Sequence, residues 1–147
     1  MKLSYITNLL LTTTTPILYL PPEPVRPNPL ILISGTQNAR DLLVHDFDIR
    51  TAYWPPVSKR GGVVHKGFAR RTKALFHEMH DFVESNDHFV IAGHSMGGSC
   101  CVLMATLLKE QGKEVDAVYT FGMPRMASSH FKKYYDSVGL SRVSTHF

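Results

Sequence analysis

Apolar residues recur along this chain with two periods. From Phe68 to Val83, the residues Phe68, Leu75, Phe76, Met79, Phe82 and Val83 return at intervals of three, four and seven. That spacing lays one apolar stripe along a helix and predicts an amphipathic helix packed on a core. Met96 to Lys109 predicts a mostly apolar helix. Residues 37–46, with Ala39, Leu42 and Leu43 on one side, and residues 128–137 predict two shorter ones. Leu30-Ile31-Leu32-Ile33 is a continuous apolar run that stops at Ser34-Gly35, as a strand covered on both faces reads. Ile17 to Leu20, Phe47 to Tyr53, His88 to Ala92, Val115 to Phe121 and Leu140 to Thr145 predict further extended segments. Pro55-Pro56 ends one of them and Gly61-Gly62 marks a turn. Strands alternating with helices predict an α/β fold, a mostly parallel sheet flanked by helices. No segment repeats another.

The polar punctuation divides this pattern unevenly. Residues 21–29 hold five prolines in nine positions, which forbids helix and favours an extended connector. Residues 1–29 therefore read as an N-terminal extended segment with a Pro-rich connector, and residues 30–147 as one domain, the number that 147 residues accommodate. Hydrophobic residues make up 44% and charged residues 19%, the balance of an ordinary globular chain. The formal net charge is +4, and its densest basic groups are Lys59-Arg60, Arg70-Arg71-Thr72-Lys73 and Lys132-Lys133. They are scattered as solvated faces and loops are, so nucleic acid is not an expected partner. Cys100 and Cys101 are adjacent and cannot easily close a disulfide, so they do not specify a compartment. No run of 18 apolar residues exists to span a membrane. The N-terminus, with Lys2 and the Leu9-Leu10-Leu11 cluster broken by Thr12 to Thr15, is a weak signal-peptide candidate, and the compartment stays open.

The candidate chemistry centres on Gly93-His94-Ser95-Met96-Gly97-Gly98, which fits G-x-S-x-G. Alone, the pattern would arise by chance in roughly one chain of this length in twenty. Its context is more specific: the apolar run Phe89 to Ala92 leads into it and a helical pattern follows. Strand, serine, helix is the arrangement of a nucleophile elbow. A reversal within about one residue strains Ser95 and lifts its hydroxyl clear of the backbone. Side chains two positions either side would collide, hence Gly93 and Gly97. The start of a helix favours negative charge developing there. The competing reading is a glycine-rich turn that binds phosphate or packs closely. The spacing is neither G-x-G-x-x-G nor a P-loop followed by Lys.

Four collinear segments resemble the class 3 lipases of the filamentous-fungal type. Ile33-Ser34-Gly35-Thr36 resembles that family's strand ending in Arg-Gly-Ser or Arg-Gly-Thr, with Ser34 where the family has Arg. Tyr53-Trp54-Pro55-Pro56-Val57 and Val64-His65-Lys66-Gly67-Phe68 resemble its proline segment and its V-H-x-G-F motif. Gly93 to Gly98 matches its elbow, and Tyr119 to Arg125 resembles its T-F-G-x-P-R. The resemblance implies an α/β-hydrolase sheet, incomplete at the C-terminus, and residues 30–147 as a partial class 3 lipase domain. It implies Ser95 as nucleophile, Thr36 and the backbone N–H of Met96 as oxyanion-hole donors, and Gly93, His94, Gly97 and Gly98 as the elbow around it. It implies neither metal nor organic cofactor. The expected partner is a lipid or ester substrate, met with transient contact at a lipid interface. Residues 37–46 fall where the family carries a lid; an ordinary surface helix is the alternative.

A serine hydrolase also needs an acid and a histidine, which on this fold follow the serine in that order. The acids after Ser95 are Glu110, Glu114, Asp116 and Asp136, none at the carboxyl tip of a predicted strand. His130 and His146 are the later histidines. His77 and His80, three apart on one predicted helix, lack the acidic or cysteine neighbours of a metal site. The triad acid and base are therefore expected outside this chain, on a missing C-terminal segment or a companion chain. Two readings stay open: a serine ester hydrolase acting through an acyl-Ser95 intermediate, and a catalytically inactive lipase-like domain that binds lipid or protein. An acyltransferase with the same elbow is a third.

Overall fold

The computed structural model describes residues 17–35 and 50–145. Strand β1, Ile17–Leu20, and strand β2, Leu30–Ile33, pair antiparallel across the proline connector. Thr51–Tyr53 (β3) and Val63–His65 (β4) form a separate two-stranded antiparallel sheet. Helices α1, Lys66–Glu78, and α2, His80–Glu84, lead to β5, His88–His94. Helix α3, Met96–Glu110, β6, Glu114–Phe121, α4, Ser129–Ser137, and β7, Val143–Thr145, complete the described chain. The main sheet runs β1-β2-β5-β6-β7, parallel from β2 onward.

Alternation along the strands splits the core between the two faces of the sheet. Ile31, Ile33, Phe89 and Ile91 join residues of α1, α3 and α4, among them Phe68, Leu75, Leu103 and Tyr135. Leu30, Leu32, Val90, Ala92 and Phe121 form a second cluster with Leu18 and Leu20. β2 is 0% exposed along its whole length, as its unbroken apolar run predicted. Burying a Leu or Ile side chain contributes about 1.5–3 kcal/mol, so these four residues anchor the sheet. Helix α3 is buried from Gly97 to Thr106, and Trp54 reaches it by donating its indole N–H to Thr106 Oγ1 at 2.8 Å.

Two predicted boundaries shift. The helix expected from Phe68 to Val83 is two helices, broken at Met79, whose φ and ψ are −95° and 20°. The break is tertiary in origin: neither Gly nor Pro interrupts the run. It seats Phe82 between Tyr19 and Phe89, at ring distances of 4.9 and 6.0 Å, while Met79 and Val83 stay in the core. The stripe keeps its spacing because both pieces turn the same face inward. The last strand begins at Val143, not Leu140, which is instead a buried core residue outside the ladder. Of the strand expected over Phe47 to Tyr53, Thr51–Tyr53 is a strand and residues 47–49 lie outside the described residues, as does the helix expected over 37–46.

Candidate active site

The site forms where the carboxyl ends of β2, β5 and β6 meet the first turn of α3. β5 ends at His94 and α3 begins at Met96, so the chain reverses at a single residue, Ser95. Its φ and ψ are 54° and −125°, a conformation that glycine prefers and that costs other residues about 1–3 kcal/mol. The bend is held from both sides. The Ser95 N–H donates to the Phe121 carbonyl at the end of β6, 2.8 Å away, and the Ser95 carbonyl accepts from the Gly98 N–H at 3.0 Å. Serine commonly caps a helix with its hydroxyl. Here Ser95 makes no side-chain cap, and the residue is half-buried rather than turned into the core.

The elbow glycines have steric reasons. A Cβ on Gly93 would strike the Gly97 carbonyl and Cys101 Sγ; one on Gly97 would strike the Ile33 carbonyl and come within 2.8 Å of the Ser34 carbonyl carbon. Gly98 abuts Met123, 3.1 Å from where its Cβ would stand, and joins the elbow to the segment after β6. Burial raises the pKa of the Cys100 thiol and raises that of Cys101 further, so the cysteines beneath the elbow stay protonated and inert.

Thr36 lies outside the described residues, but the residue before it is placed. A Cβ on Gly35 would stand 2.8 Å from the His94 carbonyl oxygen and 3.1 Å from Ser95 Cβ. The strand leading to residue 36 therefore runs against the elbow. Met96 opens α3, so its N–H belongs to the first turn, whose amides have no acceptor within the helix itself. His94 is half-buried at the end of β5, with Nδ1 3.3 Å from the Cβ position of Gly35.

One residue at this end escaped the sequence reading. Arg71, in the second turn of α1, donates from its guanidinium to the Ser34 carbonyl at 3.0 Å. It ties α1 to the chain just beyond the end of β2. The Arg70-Arg71 pair was visible in the sequence only as a basic cluster. His65 caps α1, its Nδ1 accepting from the Gly67 N–H at 3.2 Å, and its ring lies 4.8 Å from that of Phe68. Its N–H donates to the Met126 carbonyl at 2.8 Å, and Val64 bridges Ala127, which brings V-H-x-G-F against the segment after β6.

The acids after Ser95 stand elsewhere. Glu110 ends α3 and accepts from Ser58, Arg60 and Tyr134 at 3.0, 2.9 and 3.1 Å. Burial acts to raise its pKa, but these three donors prevail and lower it, while burial and the Glu110 charge push Tyr134 up to about 12. Glu114 pairs with Lys109, Asp116 with His88, and Asp136 with Lys132. His130 contacts the Arg60 carbonyl, and His146 lies outside the described residues. His77 and His80 fall on either side of the Met79 break, and among the described residues no three His, Cys, Asp or Glu gather as metal ligands.

A mostly parallel sheet flanked by helices, with a serine on a one-residue bend between a central strand and its helix, is the architecture of the α/β hydrolases. Within that class, the family described as lipase (class 3) matches residues 30–146, and this chain belongs to it. Toxin TseL of Vibrio cholerae serotype O1 is 32% identical over 102 residues, 67% of this chain and 16% of the toxin. Lipase II from Rhizopus niveus superposes with a TM-score of 0.66 at 23% identity, over 80% of this chain and 48% of that lipase. A lipase from Rhizopus microsporus var. chinensis gives 0.66 at 20% identity, over 89% and 53%. At these identities the structural likeness is one of fold, and the chain spans about half the length of the solved lipases. Among the described residues, no helix is long and apolar enough to cross a membrane.

Proposed function

We propose that this chain carries the nucleophile of a serine ester hydrolase that cleaves acylglycerols or related carboxylic esters. The observation that carries the reading is Ser95 itself, held at φ 54° on the bend with its hydroxyl unspent on capping α3. In the proposed reaction Ser95 Oγ bonds to the ester carbonyl carbon and its proton passes to a base. The carbonyl oxygen becomes an oxyanion held by Thr36 and the Met96 N–H. The alcohol leaves with a proton, and water then cleaves acyl-Ser95 to free the acid and restore the serine. The position of Gly35 against Ser95 supports Thr36 in this role, and loss of one such donor lowers the rate by roughly 10²–10³. The chemistry requires no metal or organic cofactor. The base and its orienting acid are assigned to residues outside the described ones, on this polypeptide or a companion.

A specific observation favours the second reading, an inactive lipase-like domain that binds lipid or protein. Among the described residues the acids after Ser95 are engaged elsewhere, and His130 contacts the Arg60 carbonyl. The readings separate in one experiment. The chain and Ser95→Ala are exposed to a fluorophosphonate, mapped by mass spectrometry, and assayed on p-nitrophenyl butyrate and tributyrin. The hydrolase reading expects an adduct on Ser95 and turnover, both lost in S95A. A chain that neither labels nor turns over, alone or with its companion segment, is the inactive domain.

A further inference from the structure

The ladder that carries β2 stops before the chain reaches Ser95. β2 pairs with β1 on one side and with β5 on the other as far as Ile33. Two residues later the Cβ position of Gly35 is already 3.1 Å from Ser95 Cβ. Between them, Ser34 is held by two helices. A Cβ on Gly97, in the first turn of α3, would come within 2.8 Å of the Ser34 carbonyl carbon, so that helix packs directly on it. From α1, the Arg71 guanidinium donates to the Ser34 carbonyl at 3.0 Å. Arg71 stands three residues after Phe68 and four before Leu75, at the edge of the stripe that α1 turns to the core. It is half-buried, whereas its neighbour Arg70 is exposed. Among the described residues the ion pairs all lie elsewhere, so no carboxylate neutralises it. Burial raises the pKa of both thiols beneath the elbow, and the Arg71 charge works against that rise in each; its field reaches the floor of the site.

We propose that Arg71 is a positioning residue of the reaction, fixing Ser34 so that Thr36, two residues on, presents its oxyanion donor beside Ser95. The inference rests on the hydrolase reading and adds to it a residue that touches no reacting atom. A donor stabilises the oxyanion only from about 2.7–3.1 Å, and a misplacement of about 1 Å can cost roughly 10²-fold in rate. Past the end of a ladder, neighbouring strands no longer set such a distance. A planar guanidinium, fixed at the edge of the α1 stripe, supplies a rigid hold where a shorter amide would not reach. The donor matters most when the carbonyl oxygen becomes charged, so the effect of Arg71 belongs to kcat and not to KM.

The test compares the parent chain with Arg71→Gln, Arg71→Lys and Arg70→Gln, each with the companion segment if the parent needs it. The rate of fluorophosphonate labelling at Ser95 is measured, together with kcat and KM on p-nitrophenyl butyrate. Urea unfolding of each variant corrects these rates for the folded fraction. R71Q is expected to label and turn over about ten- to a hundredfold more slowly, with KM unchanged. R71K keeps a charged donor without the fork and should fall between R71Q and the parent; R70Q should match the parent. An R71Q that reacts as fast as the parent, a loss confined to KM, or an equal loss in R70Q overturns the proposal. Should R71Q not fold, R71K decides: a kcat lowered several-fold at unchanged KM supports it, and a parental kcat overturns it. A parent that never labels removes the hydrolase reading and this inference with it, an outcome distinct from a parent and an R71Q that label alike.

Discussion

Helix α3 is entered and left by two opposite solutions to the same problem. At its start the chain turns from β5 in one residue, Ser95, with Gly93 and Gly97 pressed against backbone. At its end the chain takes Gln111, Gly112 and Lys113 to turn into β6. Gly112 has φ 76° and nothing within 4 Å of its Cβ position, and ion pairs Lys109–Glu114 and Lys113–Asp87 brace the turn. The first turn uses glycine for space and places a serine in the strained position. The second uses glycine for conformation and carries no strain on a functional side chain. An isolated glycine motif does not distinguish the two; the neighbouring strand does.

The largest effect should come from filling the space. Gly97→Ala drives a methyl into the Ile33 carbonyl and the Ser34 backbone, which cannot yield without displacing β2. A loss of about 3 kcal/mol or more in urea unfolding is expected, or no folded protein at all. A loss below 1 kcal/mol would mean that the elbow is looser than described. Gly112→Ala at the other end meets no neighbour and pays only for positive φ, about 1 kcal/mol by the same measurement. If the two substitutions cost alike, the distinction between space and conformation fails.

The smallest effect belongs to Glu110, which ends the helix. Its lowered pKa means that its contribution is present above the usual carboxylate range and is lost as pH falls through the lowered value. Glu110→Gln should cost less than about 1 kcal/mol at neutral pH, since partners such as Arg60 are solvent-exposed. It should also flatten the stability profile on the acid side. An unchanged acid slope in chemical denaturation would show that the three donors do not hold the carboxylate charged.

Much of this was legible in the sequence because the signals were local. The run Leu30 to Ile33 announces a strand buried on both faces, and Phe89 to Ala92 ahead of Gly93 announces the elbow. What was not legible depends on residues far apart. The Met79 break answers to Tyr19 and Phe89, neither within the helix. The hydrogen bond from Arg71 to Ser34 joins residues 37 positions apart, and a long side chain leaves no periodicity to mark its target. The Phe121 carbonyl that holds Ser95 is a backbone group with no signature of its own.

The central claim is that Ser95 is held in a conformation its side chain resists. Guanidinium chloride unfolding of Ser95→Gly against Ser95→Ala tests it without reference to catalysis. Both substitutions remove the hydroxyl, but only glycine relieves a φ of 54°. The account predicts that S95G is more stable than S95A by about 1 kcal/mol. A glycine variant less stable than the alanine one, as at an ordinary position, would contradict it.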